Sequence, residues 1–93
     1  MREKNIEEKL VAEARRMGGI APKLVSPGLD GMPDRLVLMP EGRMAFVELK
    51  APGKKPRPIQ RVRIRQLEAM GYGVYVVDSA ERIREVLDEI CSA

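Results

Sequence analysis

Two apolar runs, Leu36-Val37-Leu38-Met39 and Met44-Ala45-Phe46-Val47, flank Pro40-Glu41-Gly42-Arg43, and no other feature restricts the fold of this chain as much. Turn residues between short apolar runs specify a β-hairpin, with strands expected near residues 34–40 and 43–50. A hairpin also fixes which residues face each other: antiparallel partners about this turn have residue numbers summing to about 83. Asp34 is therefore expected across from Glu48, to within about one residue. Lys50 shares the face of Glu48, because strand side chains alternate.

Two carboxylates and an ammonium are thus gathered around one point. Acids placed side by side in a mostly apolar sheet repel each other and lose hydration, and a divalent cation is the usual remedy. Hard oxygen ligands suit Mg²⁺ or Mn²⁺. Taken alone, Glu48-x-Lys50 describes an exposed strand pair of little energetic value. The register with Asp34, the Gly31-Met32-Pro33 turn before it and the basic tract after Lys50 distinguish it from that common case.

Residues 2–18 read as a helix, with Ile6, Leu10, Ala14 and Met17 on one stripe and Gly18-Gly19 as its stop. At roughly 100° per residue Glu3 and Glu7 fall on or beside that stripe, while Glu8 points away. Acids on the buried side of a helix need a partner, so Glu7 is a candidate third carboxylate for a metal. A surface glutamate near the positive end of the helix dipole is the plainer alternative. Ala21 to Ser26 suggest a short strand, and Pro27-Gly28 with Gly31 and Pro33 mark a loop.

After the hairpin, Ala51-Pro52-Gly53 ends the strand and Pro58 suits the first turn of a helix over about 58–70. Gln60, Ile64, Leu67 and Gly71 form one face of it; Ile59, Val62, Ala69 and Met70 form a second apolar face. A helix with two apolar faces is either central or in contact with another chain. Gln60 on the inner face needs a polar partner, either the metal site and its water or a loop backbone. Val74-Tyr75-Val76-Val77 is an apolar strand, and Ser79 is positioned to cap a last helix that turns Ile83, Val86, Leu87 and Ile90 inward.

Composition excludes several chemistries. Histidine is absent, which removes His-based triads and imidazole bases, and Cys91 is the single cysteine, which removes disulfides and thiolate zinc sites. Ninety-three residues suit one domain, spanning 1–93. No apolar run approaches the roughly 20 residues of a membrane span, and Met1-Arg2-Glu3-Lys4 is not followed by a signal-like segment; a soluble, intracellular protein is expected. The net charge of +3 is unevenly distributed. Lys50, Lys54, Lys55, Arg57, Arg61, Arg63 and Arg65 form a stretch without acids, whereas five acids crowd residues 78–89. A phosphate backbone is the natural partner of the basic stretch. Its aromatic residues are few, Phe46, Tyr72 and Tyr75, which argues against base stacking as the main mode of recognition.

The ordered set of Glu7 on an N-terminal helix, Gly31-x-Pro33-Asp34-Arg35, Phe46-Val47-Glu48-Leu49-Lys50 and Gln60 resembles the PD-(D/E)XK nuclease superfamily, and more narrowly the stand-alone VRR-NUC family of phages and bacteria. The resemblance runs from Glu3 to about Ser79, with Glu3, Glu7 and Glu8 competing for the helix-borne acid. It implies an α/β, restriction-endonuclease-like fold in the order α-β-β-β-α-β-α, a mixed sheet of about four strands flanked by helices. By the same resemblance Asp34, Glu48 and the Leu49 carbonyl hold Mg²⁺ or Mn²⁺, with Glu7 as a further ligand, Lys50 as the catalytic lysine and Gln60 at the same site.

Lys23, Arg35, Lys54, Lys55, Arg57 and Arg61 are the candidate DNA contacts. The implied activity is phosphodiester hydrolysis in branched DNA such as Holliday junctions, by a homodimer working in a bacterial host's cytoplasm. A non-catalytic or weakly catalytic DNA-binding module of the same fold is the alternative. A pure binding protein, however, has no reason to collect acids beside a phosphate backbone.

Overall fold

A computed structural model of the protein describes residues 2–92. Helix α1 (Glu3–Arg16) is followed by strands β1 (Arg35–Met39) and β2 (Arg43–Leu49), helix α2 (Pro58–Ala69), strand β3 (Val74–Val77) and helix α3 (Glu81–Ser92). The stripe expected on α1 is present, with Ile6, Leu10 and Ala14 buried, and the helix ends where Gly18 takes a φ of 91°, open to glycine but costly for other residues. Helix α3 buries Ile83, Val86, Leu87 and Ile90 as its periodicity predicts. It starts at Glu81, so Ala80 rather than Ser79 stands next to its first turn.

The hairpin forms around a 3₁₀ turn at Pro40–Gly42. Partners such as Leu36↔Phe46 and Leu38↔Met44 have numbers summing to 82, within one of the expected value. Strand β2 is central, antiparallel to β1 and parallel to β3, with Glu48 beside Val76. The sheet is therefore mixed, as expected, but it has three strands and the element order α-β-β-α-β-α.

The missing strand has a specific cause. Residues 20–24 run antiparallel along the outer edge of β1: Ile20 and Leu38 exchange N–H···O bonds, Leu36 N–H donates to the Pro22 carbonyl, and Leu24 N–H donates to the Asp34 carbonyl. A regular strand would also need an N–H at position 22, and proline has none. The expected strand at 21–26 is thus reduced to an arm with isolated bridges at Ile20↔Leu38 and Lys23↔Arg35.

One face of the sheet carries the core. Val37, Met39, Ala45, Val47, Leu49 and Val77 pack with the buried residues of α1 and α3. Helix α2 lies on the opposite face, where Gln60 reaches Glu48. Its anchoring is sparse: Gln60 and Leu67 are its buried residues, while Val62 and Met70 are 48% and 61% exposed. The second apolar face expected on this helix is therefore largely uncovered, with only Ile59 partly buried. Among the described residues no helix is long and apolar enough to cross a membrane.

Leu10 is fully buried at the centre of this single core, so Leu10→Ala is expected to lose about 2–5 kcal/mol of stability. Urea denaturation followed by circular dichroism measures this, and a loss below about 1 kcal/mol would contradict the packing described.

Candidate active site

The site begins with a proline that interrupts the hairpin ladder. Leu36 and Leu38 direct their N–H groups to the arm, so Arg35, Val37 and, by alternation, residue 33 face β2. The observed register puts Pro33 opposite Leu49. Pro33 has no N–H to give to the Leu49 carbonyl, and the Leu49 N–H instead donates to Asp34 Oδ2 at 3.0 Å. The N–H and C=O of a strand residue point to the same side, so the Leu49 carbonyl is directed towards the Asp34 carboxylate. Asp34 is fixed in turn by its own carbonyl, which accepts the Leu24 N–H at 2.8 Å.

Beside it, Glu48 is completely buried, although it lies on the face opposite Val47 and Leu49. Its Oε2 accepts hydrogen bonds from Gln60 Nε2 at 2.6 Å and from the Lys50 ammonium at 2.9 Å. Gln60 is oriented by a second bond, in which the Arg57 N–H at the start of α2 donates to Gln60 Oε1 at 2.8 Å. The amide therefore has its acceptor in use and can only donate to Glu48. Gln60 thus meets a loop backbone N–H through its oxygen and the Glu48 carboxylate through its nitrogen. The other carboxylate oxygen, Glu48 Oε1, is buried and has no hydrogen-bond partner among the described residues.

Burial is the main cause that pushes the Glu48 carboxyl above its ordinary value of 4.5, and the neighbouring charge of Asp34 adds to it. Hydrogen bonds and charge from Lys50, and the Gln60 bond, oppose the shift without cancelling it. A buried acid with an orphaned oxygen, a second acid close enough to repel it and a carbonyl without a ladder donor form a set of hard oxygens that suits a divalent cation. Mg²⁺ or Mn²⁺ would satisfy the orphaned oxygen and offset the repulsion in one step.

The structure does not gather every residue expected here. Among the described residues no group of three or more His, Cys, Asp or Glu stands ready to hold a metal. Glu7 is the missing member: its carboxylate is 3.3 Å from the Arg35 guanidinium. Strand alternation places Arg35 on the α1 face of the sheet, away from Asp34, and Arg35 draws Glu7 there while also donating to the Ala21 carbonyl at 3.0 Å. Arg35 is thus engaged within the protein, apart from the exposed basic residues, and Glu3 and Glu8 are exposed.

Lys54, Lys55, Arg57 and Arg61 are exposed and make no ion pair among the described residues. They line the loop and helix start directly after Lys50. Lys23 is exposed on the arm beside Arg35. Sequence reasoning did not single out Asp30 and Arg63, whose contacts hold the loop before Asp34; periodicity shows which face a residue takes but not which backbone carbonyl it meets. A cavity of about 280 Å³ lies elsewhere, lined by Val11, Arg15, Ile20, Ala21, Pro22 and Arg35, and none of Asp34, Glu48 or Lys50 borders it.

Known proteins are similar to this chain in sequence and in fold. The model of the VRR-NUC domain family matches residues 4–81. "Putative nuclease p44" of Acyrthosiphon pisum secondary endosymbiont phage 1 is 53% identical over 81 residues, which cover 87% of each chain. A solved VRR_NUC domain superposes with a TM-score of 0.86 at 30% identity, covering 92% of this chain and 94% of that one. The chain belongs to the VRR-NUC domain family, with the restriction-endonuclease-like α/β fold.

The state of Glu48 leads to a pH prediction. Its folded-state affinity for a proton exceeds the unfolded one, so its contribution to stability is fully present below pH 4.5 and is lost as pH rises through the raised folded value. Without divalent cations, Glu48→Gln is therefore expected to be more stable than the native chain at pH 7, with the difference closing as pH falls towards 4.5. Urea titrations in chelator across this range test it; a variant less stable at pH 7 would show that Lys50 and Gln60 outweigh burial and repulsion.

Proposed function

We propose that this chain is a metal-dependent endodeoxyribonuclease that hydrolyses phosphodiester bonds in branched DNA and works as a homodimer. That it is a nuclease domain is supported by its family and by the phage relative named a nuclease. The observation that carries metal dependence is the buried, unpartnered Oε1 of Glu48 beside Asp34. Asp34, Glu48 and the Leu49 carbonyl are the residues that would hold Mg²⁺ or Mn²⁺, with Glu7 outside the set. Bound there, the cation supplies Lewis-acid polarisation of the phosphate and lowers the pKa of water.

The chain's own residues do the rest. Lys50 is mostly buried and held 2.9 Å from Glu48, so its ammonium is in place before substrate arrives and can neutralise charge developing on the phosphate. Gln60 keeps Glu48 in one rotamer, which maintains the geometry through the reaction. Lys54, Lys55, Arg57 and Arg61 attract the backbone and align it over the site without reading sequence. A water oxygen gives up a proton and forms the new bond to phosphorus, the bond to the leaving oxygen breaks, and that oxygen takes up a proton.

Branched DNA is the favoured substrate by resemblance to stand-alone members of the family, and paired cuts on a junction need two sites related by symmetry. The exposed Val62 and Met70 of α2 give such a dimer an apolar surface. Its working compartment is the host cytoplasm, in keeping with the phage origin of the relative.

Labelled four-way junction, duplex and single-stranded DNA incubated with Mg²⁺, Mn²⁺ or chelator test this reading. Cleavage of the junction with either cation and none with chelator is expected; undiminished cleavage in chelator would overturn it. Asp34→Ala, Glu48→Ala and Lys50→Ala should each abolish cleavage, and calorimetry with Mn²⁺ should show metal affinity lost with either acid but kept with Lys50→Ala. In sedimentation equilibrium the native chain is expected as a dimer at micromolar concentration and Val62→Glu as a monomer. A Val62→Glu variant that stays dimeric would relocate the interface.

A further inference from the structure

Helix α2 buries little of its apolar surface, yet polar contacts from its first two turns reach the Glu48 carboxylate and the loop that leads into Asp34. Gln60 holds Glu48 directly. One turn later, Arg63 Nε donates to the Asp30 carbonyl at 3.0 Å, and its Nη1 donates to Gln66 Oε1 at 2.7 Å. The Asp30 carboxylate is not what Arg63 meets, because its Oδ1 accepts the Gly31 N–H at 2.8 Å. Gly31 itself lies against α2: a Cβ there would stand 2.7 Å from the Ile59 carbonyl oxygen, and its φ of 84° is one that other residues rarely adopt. From Gly31 the chain runs through buried Pro33 into Asp34.

By charge alone Arg63 is one more member of the basic tract. Its guanidinium, however, is engaged by protein acceptors, whereas among the described residues those of Arg57 and Arg61 are not. We infer that Arg63 is a positioning residue: by tying the Asp30 carbonyl to α2, it sets the loop that presents Asp34 relative to Gln60, which presents Glu48. One helix then fixes the spacing of the two carboxylates. The inference rests on the reading of that pair as the metal-holding site, but its central geometry can be observed without metal, because the Leu49 N–H is bonded to Asp34 only while Asp34 is in place.

The test compares the full chain with Arg63→Ala, Arg63→Lys and, as a phosphate-contact control, Lys54→Ala. Amide hydrogen exchange at Leu49 is followed by NMR without divalent cation. Mn²⁺ affinity is measured by calorimetry, and junction binding and kcat are measured against salt. In Arg63→Ala the Leu49 amide should exchange about tenfold faster relative to the amides of α1, with Mn²⁺ affinity and kcat lowered by a similar factor. The slope of log affinity against log salt should stay as in the native chain. Arg63→Lys should recover part of the loss, since an ammonium can donate to the Asp30 carbonyl but cannot fork to Gln66. Lys54→Ala should flatten the salt slope by about one unit and leave Leu49 exchange unchanged.

Native-like Leu49 exchange in Arg63→Ala, or a defect confined to a shallower salt slope, would overturn the inference and return Arg63 to the phosphate contacts. If the native chain neither binds Mn²⁺ nor cuts DNA, the metal reading fails, while Leu49 exchange still decides the role of Arg63.

Discussion

Glu48 is an acid with no exposure to solvent, set in the central strand of a small sheet. Water cannot solvate it, so its charge depends on Lys50 and Gln60 at one oxygen and on whatever reaches the other. Removing one partner of a buried charge typically costs about 3–5 kcal/mol, a large share of the stability of a domain this size. The surrounding architecture follows from meeting that requirement. Strand alternation delivers Lys50, the hairpin register delivers Asp34, and the start of α2 delivers Gln60 with its orientation already chosen by the Arg57 N–H.

The molecule divides its labour between the two faces of the sheet. On one face α1 and α3 close an apolar core, and the Arg35–Glu7 pair sits at the edge of that face. On the other face apolar packing is thin and polar bonds position the groups. On that side Lys54, Lys55, Arg57 and Arg61 are exposed while Glu48 is buried and Asp34 partly buried, an arrangement that would let one patch attract a phosphate backbone and still keep hard oxygen ligands together.

Much of this was legible in the residues. The helical stripes of Ile6, Leu10 and Ala14 and of Ile83, Val86, Leu87 and Ile90 are simple periodicity, and periodicity depends only on which side the core lies. The turn chemistry at Pro40–Gly42 fixed the register to within one residue, and Asp34, Glu48, Lys50 and Gln60 came together as the register and helix phase required. The failures share a cause: they depend on a specific neighbour rather than on a period. Pro22 removes one N–H and reduces an expected strand to an arm. Glu7 has the right helical phase to face inward, but on that face its carboxylate pairs with Arg35. Arg63 has the charge of a DNA contact and a guanidinium turned to a backbone carbonyl.

Paramagnetic broadening by Mn²⁺ tests the central claim, that Asp34, Glu48 and the Leu49 carbonyl form one cation site, more directly than any activity. Added in substoichiometric amounts to the labelled chain, Mn²⁺ should erase the backbone amide signals of Asp34, Glu48 and Leu49 first, and Glu48→Gln should abolish that selectivity. Early loss of signals along the acidic helix α3, around Glu81, Glu85 and Asp88, with Leu49 left sharp, would contradict it.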